Sequence, residues 1–307
     1  MHNLIFATLG GPGKIETQAI NLTRSIRQNA GKLSQYPVWI IRPDCSEKLS
    51  EDGQARLKEL DATLFSIHMD ESYCDFPFAT KVFASAWAEA QAEGRGEVLI
   101  WMDTDSIVIQ EPSELIINPE VKLAYRPVDH TLIGSTFSEL ISPFWESIYS
   151  DCEVNESKIF PMTTSVDENV IRPYFNAGML DLHPEIGLLR SWRRNFLRLF
   201  KASQYEELFQ VKTLYKIFFH QAVLAGTVLS SIDHAELQEL PSLINYPLHM
   251  HRDYPKDKKP ECLNDLITCR YDIFFDDPEW RSTISIHEPI KTWFEEMDSS
   301  LNNTCKD

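Results

Sequence analysis

The sequence predicts an α/β fold: a mixed, largely parallel central sheet flanked by helices. Two observations carry this expectation. Strand-like and helix-like segments alternate through the first hundred residues, as they do in chains that build a parallel sheet. Val98–Met102 (VLIWM) is an unbroken apolar run, which suits a strand covered on both faces in the middle of such a sheet.

The elements follow in order. Leu4–Thr8 is a short apolar run ending in Gly10-Gly11-Pro12-Gly13, a turn of small residues. Ile15, Ala19, Leu22 and Ile26 then recur at helical spacing. Pro37–Ile41 reads as a second strand, Leu57 and Leu60 mark a polar helix, and Thr63–Ile67 reads as a third strand. Phe78, Val82, Phe83, Ala86 and Ala90 mark another amphipathic helix, which stops at Gly94-Arg95-Gly96 before the apolar run. The second half is less regular. Residues 126–170 are rich in Ser, Thr, Pro and acidic residues and read as an insertion or lid. Helical spacing returns from Leu188 to Phe200 and from Gln221 to Leu229. A last strand is expected at Thr283–Ile286. With no repeat and no composition break, residues 1–307 read as a single domain.

Composition narrows the partners. The chain carries 46 Asp and Glu against 29 Lys and Arg, a formal charge of −17. Such a surface repels phosphate backbones and anionic lipid, which argues against nucleic acid and membrane surfaces. An anionic ligand would need a cation or local lysines beside it. No apolar run reaches the length of a bilayer span, and the start of the chain lacks the basic region of a signal peptide, so the expected location is the cytoplasm. The six cysteines (Cys45, Cys74, Cys152, Cys262, Cys269 and Cys305) match no common zinc spacing and read as reduced thiols.

The chemistry-bearing feature is Asp103-Thr104-Asp105, directly after the apolar run. Extended residues two apart point the same way, so both carboxylates project from one side of the chain. Two such carboxylates repel each other unless a cation lies between them, and all-oxygen ligands suit Mg²⁺ or Mn²⁺. In open α/β sheets, ligands bind beyond the carboxyl ends of the strands, where this pair sits. The plainer reading makes one Asp the cap of a turn and leaves the other solvated.

The stretch FPFATKVFASAWAEAQAEGRGEVLIWMDTDSIV resembles the GT-A-type retaining glycosyltransferases related to glycogenin and bacterial galactosyltransferases. RPYFNAGMLDL, HQAVLAGTVL and ISIHEPIKTW are similar to three further motifs of that family, in the same order. The resemblance implies a GT-A-like, Rossmann-like fold and transfer of a sugar from a nucleoside diphosphate donor, a UDP-sugar, to an acceptor it does not name. It implies a Mn²⁺ or Mg²⁺ site at Asp103, Asp105 and His287, with Lys81 and Lys291 near the nucleotide and phosphates. Ala7, Thr8 and Leu9 would border the nucleoside; Asn176, Ala177, Gly178 and Gln221 would face the sugar. Asp103, Asp105, Asn176 and Gln221 are thereby the candidate catalytic residues. Two departures stand out: His220 occupies a usually acidic position, and HEPIKTW is shorter than the family's closing motif. Two other readings compete. One is a haloacid dehalogenase-type phosphatase, with Asp103 as nucleophile and Asp276 and Asp277 in a later acidic motif. The other is a nucleotide-sugar binder that no longer transfers.

Overall fold

The structure, a computed structural model, describes residues 3–304. The chain opens with β1 (Leu4–Leu9), α1 (Lys14–Asn29), β2 (Val38–Pro43), α2 (Glu51–Glu59) and β3 (Ala62–Ile67). Next come α3 (Ala79–Ala92), β4 (Val98–Met102), β5 (Ser106–Val108), β6 (Leu123–Pro127), α4 (Pro143–Asp151), β7 (Met162–Thr163) and β8 (Val170–Ile171). The remainder is β9 (Phe175–Leu182), α5 (Leu188–Phe200), α6 (Ser203–Val211), α7 (Thr213–Ile217), α8 (Phe219–Ser231), β10 (Leu237–Glu239), β11 (Tyr246–Pro247), β12 (Thr268–Arg270) and α9 (Ile290–Thr304).

Among the described residues the main sheet has seven strands in the order β10-β6-β9-β4-β1-β2-β3. Neighbours run parallel except at β9, which is antiparallel to both β4 and β6. The expected α/β class with a mixed, largely parallel sheet is therefore what the chain forms. The uninterrupted apolar character of β4 has a direct cause. Leu99 and Trp101 enter the core under α3, α5 and α8, while Val98, Ile100 and Met102 enter the core beneath α1 and α2. Side chains alternate between the faces, so a strand covered twice needs apolar residues at every position. All five are at most 1% exposed, and each large one contributes about 1.5–3 kcal/mol of burial.

Fully buried Glu89 on α3 is explained by its partners. Its carboxylate accepts the Leu189 and Arg190 backbone N–H groups at the start of α5 and the Arg190 side chain. It thereby fastens two helices on one side of the sheet.

A smaller sheet, β11-β12-β5, carries a third apolar cluster with α9 and the C-terminal loops. Here two expectations fail. Thr283–Ile286 forms no strand; it holds one isolated bridge, Cys262 to Ser285, after a short 3-10 turn at Trp280–Ser282. Its apolar residues pack against the C-terminal cluster rather than along a neighbouring strand. The cysteines are not all reduced either: Cys45 and Cys74 form a disulfide, whereas Cys152, Cys262 and Cys269 are free and buried. The pair is 29 residues apart in sequence, with Cα atoms 6.5 Å apart, a proximity that only the fold creates. Cys305 lies outside the described residues. No helix among them is long and apolar enough to cross a membrane.

Candidate active site

β4 ends against the antiparallel β9, and the Asp103 N–H donates to the Gly178 carbonyl at 2.8 Å. The chain then turns: the Ser106 N–H donates to the Asp103 carbonyl at 3.0 Å, and β5 departs into the smaller sheet. Both carboxylates face a cleft of about 610 Å³, a size that suits a small organic ligand.

The expected residues divide into three groups. Lys81, Asp103, Asp105, Asn176, Gly178, Gln221 and Leu9 line the cleft together. Ala7, Thr8 and Ala177 do not line it; they are 2%, 1% and 0% exposed, inside the strands that form its wall. His287 and Lys291 do not line it either, although the first was expected at the metal and the second near the nucleotide and phosphates. They are exposed, His287 just before α9 and Lys291 in its first turn, and the His287 N–H donates to Asn264 Oδ1 at 2.8 Å. The physical reason is packing: Ile284, Ile290 and Trp293, on either side of these residues, are buried in the C-terminal apolar cluster and hold the segment there. Asp276 and Asp277 border a separate hollow, and Asp277 pairs with Arg252. A phosphatase arrangement around Asp103 is therefore not assembled.

The geometry around the pair is specific. Lys81, on the inner face of α3 and 8% exposed, donates to Asp103 Oδ2 at 2.7 Å. Burial, reinforced by the Asp103 charge, pushes the Asp105 carboxyl up to about 6, with Arg270 acting against them. Gly178 leaves little room behind the carboxylate: a Cβ there would lie 2.9 Å from Asn176 Oδ1 and 3.0 Å from Asp103 Oδ2, so these side-chain ends would have to shift. Asn176 Oδ1 accepts the Gly178 N–H, and Gln221 Oε1 accepts the Ala177 N–H at 3.1 Å, tying α8 to β9. His220 is fully enclosed; burial first and Lys81 second hold it well below the usual imidazole range, so it is neutral. Its ring stacks on Phe78 at 4.5 Å, and Phe78 holds a left-handed backbone (φ 59) at the start of α3.

Several cleft residues escaped the sequence reading: Lys14 and Gln18 on α1, Thr104, Asp129, His130, His249, Arg270 and Asp272. Gln18 Oε1 accepts the Thr104 hydroxyl at 2.9 Å. His249 Nδ1 is buried without a partner among the described residues, and its Nε2 lies 3.9 Å from Asp272 Oδ2. The HMHRDYPKDKKPEC segment offered a signal for His249, in that two histidines recur within three residues. Arg270 and Asp272 offered none.

The donor set suits a hard divalent cation in part. Two carboxylates are the usual protein contribution to a Mg²⁺ that takes its other ligands from phosphate and water. A third His, Cys, Asp or Glu does not join them in a metal-binding cluster among the described residues.

The Rhodobacterales glycosyltransferase domain matches residues 6–230, most of the chain and all of the wall that carries the carboxylates, Asn176 and Gln221. The chain belongs to that family. No curated protein sequence matches this glycosyltransferase. Among solved structures, galactosyltransferase LgtC in complex with donor and acceptor sugar analogues covers 97% of the chain and 95% of its own length, at 13% identity and TM-score 0.50. An active-site mutant of LgtC covers the same shares at 13% identity and TM-score 0.53. Glycosyltransferase GlyE of Streptococcus pneumoniae TIGR4 covers 99% of the chain at 14% identity and TM-score 0.50, and the chain spans 62% of that protein. It spans 46% of the bifunctional glycosyltransferase WbbM, at 14% identity and TM-score 0.49 over 88% of this chain. At these identities the LgtC and GlyE likenesses establish the GT-A fold.

Proposed function

We propose that this glycosyltransferase takes its sugar from a nucleoside diphosphate donor, a UDP-sugar, with Mn²⁺ or Mg²⁺, and that the product keeps the donor's anomeric configuration. The observation that carries the reading is the placement of Asp103 and Asp105 on the floor of the cleft, with Lys81, Asn176 and Gln221 around them. LgtC, of the same fold, is described with donor and acceptor sugar analogues.

In this reading Asp103 and Asp105 would hold the cation, which supplies Lewis-acid stabilisation of the leaving diphosphate. The ammonium of Lys81 sits beside Asp103 and adds positive charge where the glycosyl–phosphate bond breaks. Leu9 and Gln18 form the nucleoside end of the cleft. Asn176 and Gln221 form the sugar end; their oxygens accept backbone N–H groups, which leaves each amide NH₂ to donate to sugar hydroxyls. Neutral His220 offers hydrogen bonding there without a competing charge. Val128, Asp129, His130 and Leu132, from the 126–170 segment, line a further part of the cleft and would border the acceptor. Phe78 and Leu132, both exposed, and half-buried Phe218 also line the cleft and would shield the reacting bond from water once a donor covers them.

The test is incubation with Mn²⁺ and a panel of nucleotide-sugars, reading thermal stabilisation and release of free nucleoside diphosphate. A donor that raises the melting temperature only with the metal, and is consumed, is the expected result. Binding without turnover on any acceptor or on water would instead favour the non-transferring reading, to which His220 in place of an acid lends support. For location, the expected cytoplasm meets one opposing feature: the Cys45–Cys74 disulfide is a bond rarely kept where thiols are held reduced.

A further inference from the structure

Lys81 answers the charge of Asp103; the answer to Asp105 comes from a residue beyond the family match. β12 pairs antiparallel with β5 so that Arg270 stands opposite Ser106, next in sequence to Asp105. Its stem passes behind Gly178, where Cδ lies 3.4 Å from the position a Cβ would take, beside Asp103. The guanidinium donates through Nη2 to Asp129, and both side chains are closed in, at 13% and 11% exposure. Burial opposes the charge of Arg270, but Asp129, Asp105 and Asp103 outweigh it and hold the guanidinium above its ordinary range.

One donor is left over. Arg270 Nε is buried and has no hydrogen-bond partner among the described residues. A guanidinium presents its donors as a rigid fork that matches the oxygens of a phosphate, and a buried unpaired N–H is costly to maintain. Around it the cleft sets three cationic side chains, Lys14, Lys81 and Arg270, against four carboxylates, Asp103, Asp105, Asp129 and Asp272. An arriving diphosphate thus meets a surface with one carboxylate more than it has cations.

We infer that Arg270 is the diphosphate clamp of this cleft: its guanidinium, which lines the cleft, binds a phosphate oxygen of the donor, and Asp129 acts as an internal anion that holds it in place beforehand. The inference rests on the nucleotide-sugar reading and names a residue for it. It also supplies a cation at the phosphates, where Lys291 was expected and does not reach. Asp129 then has two opposed effects, orienting the clamp and competing with the ligand for it.

The two effects make the clamp testable apart from activity. Inorganic pyrophosphate is titrated calorimetrically into the full chain, as its Mn²⁺ complex and again in EDTA, for wild type, Arg270→Gln, Arg270→Lys and Asp129→Asn. Loss of a charge-assisted hydrogen bond predicts roughly tenfold or greater weakening in Arg270→Gln. Arg270→Lys should fall between it and wild type, and Asp129→Asn should bind pyrophosphate more tightly than wild type. If the ion pair only fastens β12 to the loop after β6, Arg270→Gln and Asp129→Asn will both bind as wild type or weaken together, and the clamp is overturned. Should Arg270→Gln fail to fold, the ordering of Arg270→Lys below wild type and Asp129→Asn above it decides the matter in the same way. Wild type that binds no pyrophosphate with Mn²⁺ would remove the nucleotide-sugar reading itself. Wild-type binding with an unaffected Arg270→Gln would remove only the clamp.

Discussion

The two walls of the cleft are built differently. On one side, Asp103, Asp105, Asn176 and Gly178 stand at the ends of β4 and β9, strands whose other residues are buried on both faces. On the other side, His249, Arg270 and Asp272 come from short strands and turns of the C-terminal region. The first wall is held by a continuous hydrogen-bonded ladder. The second has only the short β11-β12-β5 ladder, supplemented by side-chain pairs such as Arg270–Asp129 and Tyr246–His251. A site on a central strand keeps its geometry because the whole sheet fixes it. A site on irregular chain depends on a few contacts that no local pattern announces.

The largest effect that would test this contrast lies on the strand-built wall. Asp103→Asn or Asp105→Asn is expected to lower the transfer rate roughly 100- to 1,000-fold, as loss of a preorganised charge at a reacting centre does. Asp105→Asn should melt close to wild type, since the ladder does not use its side chain, whereas Asp103→Asn leaves buried Lys81 without its anion and should melt lower. A rate within a few-fold of wild type would break the contrast.

Next comes the pH response of the pair-held wall. Burial, and secondarily Lys259, press His251 down to about 4. Between the ordinary imidazole value of about 6.5 and that lowered value, the unfolded chain takes up a proton that the folded chain refuses. Stability from this residue is therefore present above pH 6.5 and drains away as pH falls toward 4. Urea unfolding at pH 7 and 4.5 should show His251→Phe losing on the order of 2 kcal/mol less than wild type over that interval. Equal losses would mean that the ring does not titrate against folding.

A smaller effect sharpens the close packing behind the carboxylates. Gly178→Ala introduces a Cβ against Asn176 and Asp103, so both side chains must shift. Overpacking typically costs about 1–3 kcal/mol, and donor affinity measured by calorimetry should fall roughly tenfold. Unchanged affinity would show that the wall is softer than its geometry implies. The smallest effect is expected for His287→Ala. Because His287 is exposed and outside the cleft, metal-dependent donor affinity should remain within about twofold of wild type. A large loss would return His287 to the site.

Legibility in the sequence followed the same division. α3 and α8 were readable because burial of one helix face imposes a 3.6-residue period, and β4 because burial on both faces leaves an unbroken apolar run. The carboxylate pair was readable because it follows directly from such an element. Asn176, Gly178 and Gln221 rested on family resemblance, and the fold brings them to the same cleft. Thr283–Ile286 misled because alternating apolar residues packed into a loop-rich cluster imitate a strand. His287 was misplaced along with it. The Cys45–Cys74 bond was unreadable because no pattern signals contact between residues so far apart in the chain.

By itself, then, the sequence determined the α/β class, the order of its main elements and the place where two carboxylates leave a buried strand. Each of these is a local consequence of periodic burial. Tertiary structure alone decided how cations are set against those carboxylates, because Lys81 and Arg270 converge there from α3 and β12, with Asp129 brought onto Arg270 from the loop after β6. Contacts between residues as distant as Asp129 and Arg270 depend on sheet register and on how loops close. Neither is written into any short stretch of chain.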